Sequence, residues 1–227
     1  MKFVVIEGLD GSGKSTQVGL LKEYLKKNNI SFQYIHFPRV ETGIYGDMVA
    51  RFLRGEFGNN DQVNPYLVAL LYAGDRMDAA GQINQWLAND ELVLLDRYVI
   101  SNIAYQCAKV VDKAEKEKLK NWILQLEYEH NKIPVPTINI FLDVPFDFTR
   151  ERLTQGRTGD DRDYLNGATD IHEADLNFQE KVREVYLEFG KDGKALKIIS
   201  CNENGKMLPP DIIFEKILNI LKNENVL

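Results

Sequence analysis

The residues with the clearest chemical purpose lie near the amino terminus, in the run GLDGSGKS at positions 8–15. This run fits the phosphate-binding pattern G-x-x-x-x-G-K-[ST] at every fixed position. Its three glycines can adopt positive φ, so that backbone N–H groups converge on phosphate oxygens, while the lysine adds positive charge near the β- and γ-phosphates. We therefore expect a nucleoside triphosphate to be bound by Gly8, Leu9, Asp10, Gly11, Ser12, Gly13, Lys14, Ser15 and Thr16.

A second candidate pair, Asp96 and Arg97, ends the apolar run ELVLLDR at positions 91–97. A continuously apolar run is typical of a central parallel strand. An aspartate at its carboxyl end can hold Mg²⁺ together with the Ser15 hydroxyl, and arginine can grip a second phosphate bidentately. We predict Ser15 and Asp96 as magnesium ligands and Arg97 as an anion-binding residue. A purely structural pair is the alternative.

Three further residues are candidates with open alternatives. Arg39 follows a strand predicted at 31–37 and stopped by Pro38, and ligands of parallel sheets lie at the carboxyl ends of strands. A solvated surface arginine is the alternative. Tyr72 and Arg76 are four residues apart and share a face of a helix predicted at 65–87. Spacing alone favours a structural role for the pair, with Tyr72 as a core or rim aromatic and Arg76 as a surface charge.

Residues 155–168 differ in character from the rest of the chain, because glycine, aspartate and arginine dominate them. Tyr164 and Leu165 are their only large apolar or aromatic residues, so the segment cannot build a core of its own. This composition is typical of a mobile lid that closes over a nucleotide, bringing Arg157 and Arg162 to it. A plain exposed loop is the alternative. We place the lid at about 154–170.

The elements that must position these groups alternate between strand and helix along the chain. Apolar strand runs at 3–6, 31–37, 91–97, 137–143 and 196–201 are separated by helical patterns, among them 14–27, 45–53, 98–109, 146–153, 172–187 and 210–221. Such alternation predicts an α/β fold with a five-stranded parallel sheet covered by helices on both faces, in three layers. Because no linker interrupts the pattern, we expect a single domain over 1–227.

Composition excludes several classes of protein. The 28 Lys and Arg against 34 Asp and Glu give a formal charge of −6, which argues against a general affinity for nucleic acid or anionic membranes. Cys107 and Cys201 lie far apart without C-x-x-C spacing, so neither a metal site nor a disulfide framework is indicated. No apolar run is long enough for a signal peptide or a membrane span. We expect a cytoplasmic protein.

The arginines beyond the phosphate loop separate a kinase from a nucleotide switch. A switch GTPase or plain ATPase needs one nucleotide cradle, whereas a kinase for a phosphorylated acceptor needs a second cationic cradle. Arg39 and Arg97 would supply it, and Arg157 and Arg162 would neutralise charge on the transferring phosphoryl group, worth about 10³-fold in rate. On this chemistry we predict Lys14, Arg97, Arg157 and Arg162 as catalytic residues.

Six segments together resemble the thymidylate kinase family. They are EGLDGSGKST at 7–16, FPR at 37–39, DR at 75–76, DRYVIS at 96–101, AYQ at 104–106 and RDY at 162–164. The resemblance runs over nearly the whole chain and implies a P-loop kinase fold that phosphorylates dTMP to dTDP with ATP and Mg²⁺, usually as a homodimer. Another P-loop nucleoside monophosphate or deoxynucleoside kinase is the runner-up. A non-catalytic nucleotide-dependent regulator is the alternative from a different class.

The resemblance also implies roles around the acceptor. Asp10 would be a further catalytic residue and would lie near the sugar 3′-OH. Arg39 and Arg97 would hold the phosphate, and Tyr105 would crowd the sugar C2′. Tyr72 would stack on thymine and Arg76 would form a hydrogen bond with it. Ser101 and Gln106 would be further polar groups that face the base. The dTMP site would therefore comprise Asp10, Phe37, Arg39, Tyr72, Arg76, Arg97, Ser101, Tyr105, Gln106 and Tyr164.

One departure from the family pattern affects the catalytic charge. Some members carry an arginine within the phosphate loop, where this sequence has Gly11. The charge would then have to come from the lid in this chain, through Arg157 or Arg162.

Overall fold

A computed structural model describes residues 2–155 and 160–227. Strands and helices alternate as the sequence predicts. The strands of the main sheet are β1 (Phe3–Glu7), β2 (Phe32–His36), β3 (Leu92–Asp96), β4 (Ile138–Asp143) and β5 (Lys197–Ser200). The helices are α1 (Lys14–Lys27), α2 (Gly43–Leu53), α3 (Pro65–Ala88), α4 (Val99–Cys107), α5 (Lys113–Leu124), α6 (Phe146–Thr154), α7 (Leu176–Phe189) and α8 (Pro210–Asn223). A short hairpin, β6 (Asn202–Glu203) and β7 (Lys206–Met207), precedes α8.

The five main strands form one parallel sheet in the order β2-β3-β1-β4-β5. The two central strands, β1 and β3, are buried at every residue, as their continuous apolar runs indicate. Val4 of β1 pairs with Leu94 on one side and Ile138 on the other. The predicted five-stranded parallel α/β sheet is thereby confirmed.

Helices cover both faces of the sheet, because alternate residues of a strand point to opposite sides. Phe3 and Val5 pack into one core cluster with residues of α3, α4 and α7, whereas Val4 and Ile6 pack into a second with residues of α1 and α8. A third, smaller cluster joins α2 to α3, and Tyr164 and Ile171 pack against it. The segment before α7 is therefore attached to the α2–α3 side of the sheet.

One predicted boundary is wrong. The helix expected from His172 begins only at Leu176, because the amides of His172 and Glu173 bond instead to the Asp170 side chain and Asp175 caps the helix by accepting from Phe178 N at 3.0 Å. After α5 the chain continues as a π-helix (Gln125–His130).

Part of the predicted lid is described and part is not. Asp160–Leu165 forms a short 3₁₀ helix. Arg157 lies outside the described residues, and so does the side chain of Arg162. Within the ranges that the structure covers, no helix is long and apolar enough to cross a membrane.

Candidate active site

The phosphate loop connects β1 to α1, and its glycines serve two different purposes. Gly11 and Gly13 have φ of 73° and 84°, the left-handed region expected for them. Gly8 does not, so the expectation of positive φ there is wrong. A Cβ at Gly8 would instead lie 2.7 Å from Ser12 Oγ and 3.1 Å from Lys14 Cγ. A glycine at position 8 therefore leaves room for the Ser12 and Lys14 side chains, and it is not needed for a special backbone conformation.

Lys14 is held at the centre of this loop. Its side chain is buried, and Nζ donates a hydrogen bond to the Leu9 carbonyl at 2.9 Å. Lys14 is also the first residue of α1, so its charge and the N-terminal amides of the helix act on the same place. Ser15, which follows it, is exposed. This arrangement is suited to binding the phosphates of a nucleotide.

A cavity of about 310 Å³ opens beside the loop, at the carboxyl ends of β2 and β3. Helices α3 and α4 and the segment from Tyr164 to Glu173 form its other walls. Most of the residues predicted to bind the acceptor or the metal line this cavity: Asp10, Lys14, Ser15, Phe37, Tyr72, Arg76, Asp96, Arg97, Ser101, Tyr105, Gln106 and Tyr164. Arg39 is not among the lining residues.

Arg97 connects the phosphate loop to α4. Its backbone is left-handed, with φ of 67°, a conformation that costs energy for a long side chain and directs the guanidinium back toward the loop. Nη2 pairs with Asp10 Oδ1 at 2.8 Å and also contacts the Tyr105 hydroxyl, and Nη1 donates to Ser101 Oγ at 3.2 Å. The second cationic group thus lies directly beside the nucleotide loop.

Asp10 accepts hydrogen bonds from two further side chains. The Tyr105 hydroxyl donates to Oδ2 at 2.7 Å, and Gln179 Nε2 on α7 donates to the same oxygen at 3.0 Å. Burial raises the pKa of Tyr105 well above its ordinary value, although the charge of Arg97 opposes the shift, so the phenol is a neutral donor. Gln179 had no signal in the sequence, because it is separated from Asp10 by 169 residues.

At the far end of the cavity, Arg76 forms an ion pair with Glu127 of the π-helix, and Nε lies 3.0 Å from Glu127 Oε1. Glu127 Oε1 also accepts from Asn102 Nδ2 at 3.2 Å, and Asn102 Nδ2 donates to the Ala69 carbonyl as well. The sequence reasoning missed both Asn102 and Glu127. Asn102 could have been found, because it directly follows the DRYVIS segment, but nothing marked Glu127.

Two buried side-chain amides near this end carry polar atoms without partners. Within the described part of the chain, Asn102 Oδ1 and both polar atoms of the Gln106 amide make no hydrogen bond. Buried polar groups are rarely left unpaired, because each costs the free energy of its desolvation. Both residues line the cavity.

Ser101 and Arg39 have other partners than those expected. Ser101 Oγ donates to Glu7 Oε2 and lies 2.7 Å from the Tyr186 hydroxyl. Arg39 bonds to Asp75 through its backbone N and through Nε, both at 2.8 Å. To contact a phosphate, Arg39 would have to release that carboxylate. Their roles in binding dTMP remain predictions.

Asp96 is buried at the end of β3, close to the loop. Oδ2 lies 3.4 Å from His36 Nδ1, and Oδ1 has no hydrogen-bond partner in the ranges described. Burial raises the pKa of Asp96, but the His36 hydrogen bond and the charges of Lys14 and Arg97 outweigh it and lower the pKa below its ordinary value. An ionised carboxylate with an unpartnered oxygen, lining the same cavity as Ser15, fits a hard cation.

The segment before α7 forms the last wall of the cavity. The Tyr164 hydroxyl donates to Asp170 Oδ2 at 2.9 Å, while Arg54 of the α2 terminus donates to the Tyr164 carbonyl at 2.7 Å. Burial, with the charges of Asp10 and Glu173, raises the pKa of Asp170 to about 7. These contacts hold Tyr164 against the cavity.

A parallel α/β sheet, a glycine-rich phosphate loop opening a helix and an arginine beside that loop define a P-loop phosphotransferase. The family model described as thymidylate kinase matches residues 6–212. The thymidylate kinase of Mycobacterium tuberculosis strain H37Rv is 31% identical over 217 residues, which cover 92% of this chain and 99% of that protein. That of Plasmodium falciparum is 30% identical over 87% of this chain and 81% of its own length.

A solved structure agrees with these relatives. The thymidylate kinase of Candida albicans superposes with a TM-score of 0.71 at 25% identity, covering 99% of this chain and 92% of that chain. The chain therefore belongs to the thymidylate kinase family, as its motifs predicted, and its reaction is the ATP-dependent phosphorylation of dTMP to dTDP.

Proposed function

We propose that residues 1–227 form a single catalytic domain, with a lid at about 154–170, that binds ATP at the loop and dTMP in the adjoining cavity. The observation that carries the proposal is the ion pair between Asp10 and Arg97 at 2.8 Å. It supports the proposal because a cation suited to an acceptor phosphate then lies directly beside the loop that we propose to hold the donor phosphates. A protein that only hydrolyses or senses a nucleotide would have no use for that second cation.

Phosphoryl transfer requires positioning and charge stabilisation more than covalent chemistry by the protein. In the proposed reaction Lys14 binds the β- and γ-phosphates of ATP, and Arg97 holds the acceptor phosphate in line with the γ-phosphorus. Asp10 accepts a hydrogen bond from the sugar 3′-OH. Arg157 or Arg162 supplies the remaining positive charge from the lid, and Arg39 would turn from Asp75 toward the acceptor phosphate.

Magnesium fits this site. Ser15 offers a hydroxyl at the start of α1, and Asp96 offers a buried, ionised carboxylate with an unpartnered oxygen. Bound there, Mg²⁺ neutralises the negative charge on the β- and γ-phosphate oxygens. In the described part of the chain no three His, Cys, Asp or Glu residues cluster as metal ligands, which agrees with a metal held mainly by nucleotide oxygens and water.

The far end of the cavity suits thymine. The base presents an N3–H donor and two carbonyl acceptors, so Arg76 would donate to a carbonyl and Asn102 Oδ1 would accept the N3 proton. Gln106 can supply a donor or an acceptor. Tyr72 would stack on the ring, and Tyr105, fixed by Asp10, would exclude a 2′-hydroxyl from the sugar site.

We also propose a homodimer in the cytoplasm. Helix α3 exposes Leu67, Leu70 and Met77 on one face, with exposed fractions of 59%, 42% and 40%. Leu70→Glu should convert the dimer to a monomer in sedimentation equilibrium, whereas Val111→Glu, at a site already 95% exposed, should not. A monomeric parent protein would refute the proposal. The free thiols of Cys107 and Cys201 fit a reducing compartment.

The test of function is ADP formation from ATP and Mg²⁺ with dTMP, dUMP, UMP, dCMP, CMP, AMP or no acceptor. We expect rapid turnover with dTMP, weaker turnover with dUMP and negligible turnover with ribonucleotides, all abolished by Lys14→Ala. A stronger response to another monophosphate would assign a different kinase specificity. ADP formation that does not depend on an acceptor would refute the proposed role of Arg97.

A further inference from the structure

A buried carboxylate next to the phosphate loop has no part in the proposed reaction. Glu7, the last residue of β1, is wholly excluded from solvent. Its Oε1 accepts from the backbone N of Tyr98 at 3.0 Å and of Ser101 at 3.3 Å. Both amides belong to the start of α4, where unpaired N–H groups and the helix dipole favour a negative charge. Glu7 therefore caps α4 from the neighbouring strand, directly after the left-handed residue Arg97.

The second oxygen of Glu7 is connected to the Arg97 side chain by hydrogen bonds through Ser101. Oε2 accepts from Ser101 Oγ and from the Tyr186 hydroxyl at 2.9 Å, and these two hydroxyls are 2.7 Å apart. Ser101 Oγ in turn accepts from Arg97 Nη1 at 3.2 Å. The Tyr186 ring is stacked on Phe141, with centroids 4.4 Å apart, so α7 holds the hydroxyl in place. One serine oxygen thus connects Glu7 and Tyr186 to Arg97.

The hydrogen bonds around position 7 suit a carboxylate. Burial raises the pKa of Glu7, but all four groups that contact the carboxylate can donate to it, and Arg97 provides a nearby positive charge. When both hydroxyl protons point to Glu7 Oε2, a lone pair of Ser101 Oγ is left for Arg97 Nη1. In Glu7→Gln the side-chain oxygen can still accept from the backbone N–H groups of Tyr98 and Ser101. The side-chain NH₂ group, however, then faces the two hydroxyls. One proton then has no acceptor, and the bond to Arg97 is lost or weakened.

We propose that Glu7 and Tyr186 are positioning residues that aim the Arg97 guanidinium at the acceptor phosphate through Ser101. The inference rests on the proposed role of Arg97 in binding that phosphate. It gives Ser101 a function in place of base recognition, and it explains why a hydroxyl on α7, far along the chain, lies behind the acceptor site.

The experiment compares dTMP with thymidine, which lacks the phosphate that Arg97 would hold. Dissociation constants of both ligands are measured by calorimetry for the parent protein, Glu7→Gln, Tyr186→Phe, Arg97→Ala and the control Tyr24→Phe, whose ring contacts Phe214 on α8. We expect Glu7→Gln and Tyr186→Phe to weaken dTMP binding about tenfold, the loss of one hydrogen bond to a charged group. Thymidine binding should stay unchanged in both variants, and Tyr24→Phe should change neither ligand.

Each of the other outcomes would contradict the inference. Equal weakening of both ligands in Glu7→Gln and Tyr186→Phe would show a merely structural role, and unchanged dTMP binding would show no role. If Arg97→Ala left the preference for dTMP over thymidine intact, the proposed function of Arg97 would itself be wrong, and the inference with it. In an Arg97→Ala background Tyr186→Phe should have no further effect on that preference, so additive losses would also overturn the inference. Tyr186→Phe carries the test if Glu7→Gln does not fold.

Discussion

Arg76 on α3 and Glu127 on the π-helix form an ion pair from which solvent is almost wholly excluded, with exposed fractions of 2% and 0%. Burying two charges costs much of what their attraction gains, so such a pair adds little net stability. The pair instead orients the side chains that line the cavity. Glu127 binds Arg76 and Asn102 through the same oxygen, and both of these residues line the cavity.

Removing Glu127 should therefore be far more costly than removing an exposed acid. Glu127→Ala leaves the Arg76 charge buried without a partner, and we expect the free energy of unfolding to fall by about 3–5 kcal/mol in urea denaturation. Glu117→Ala, which breaks an exposed pair with Lys120, should cost less than about 1 kcal/mol. Equal effects of the two changes would contradict the importance of the buried pair.

Gly8 offers a test of the phosphate loop. A methyl group there would meet Ser12 Oγ at 2.7 Å and the Lys14 side chain at 3.1 Å, so Gly8→Ala should displace Lys14. Because a small misplacement of a catalytic group can cost about 10²-fold in rate, we expect a large fall in kcat, measured by ADP formation. Gly19→Ala in α1, where a Cβ meets nothing within 4 Å, should leave kcat unchanged and raise the melting temperature. Full activity of Gly8→Ala would show that the loop tolerates the added methyl.

The features that could be predicted from the sequence are those encoded in short runs of neighbouring residues. The sheet followed from continuous apolar runs such as LVLLD. Lys14, Asp96 and Arg97 line one cavity because each stands at a fixed position relative to a strand end. The missed residues act through contacts between distant segments. Gln179 reaches Asp10, and Glu127 reaches Arg76 across 51 residues, so neither leaves a pattern in any short window. The start of α7 was also missed, since the Asp170 side chain decides it by binding the amides of His172 and Glu173.

Lys109 should make stability depend on pH. Nζ is buried, lies 4.9 Å from the centroid of the Phe52 ring and has no hydrogen-bond partner among the residues described. Burial lowers the pKa of Lys109 from 10.5 to about 7. Between those values the unfolded chain binds more protons than the native one, so stability rises with pH across that window. The cost of the buried ammonium is complete below pH 7 and disappears near pH 10.5.

Lys109→Met should accordingly stabilise the protein at neutral pH by on the order of 1–2 kcal/mol, because it removes the cost of burying the ammonium. The gain should shrink by pH 9.5 in the same urea titration. Lys113→Met, on the surface at the start of α5, serves as the control and should show no such pH dependence. A gain of constant size at both pH values would mean that the effect is packing and not charge.

Gln106 should show opposite effects on stability and on binding. Its amide is wholly buried, and neither polar atom has a hydrogen-bond partner in the described ranges, so the protein without ligand bears the cost of desolvating it. Gln106→Met keeps the volume and removes that cost, which should raise the free energy of unfolding by about 1–2 kcal/mol. The same change would remove the proposed polar contact to thymine, so KM for dTMP should rise about tenfold while KM for ATP stays constant. A stabilised variant with an unchanged KM for dTMP would remove Gln106 from the base site, and a destabilised variant would show that its amide has a structural partner.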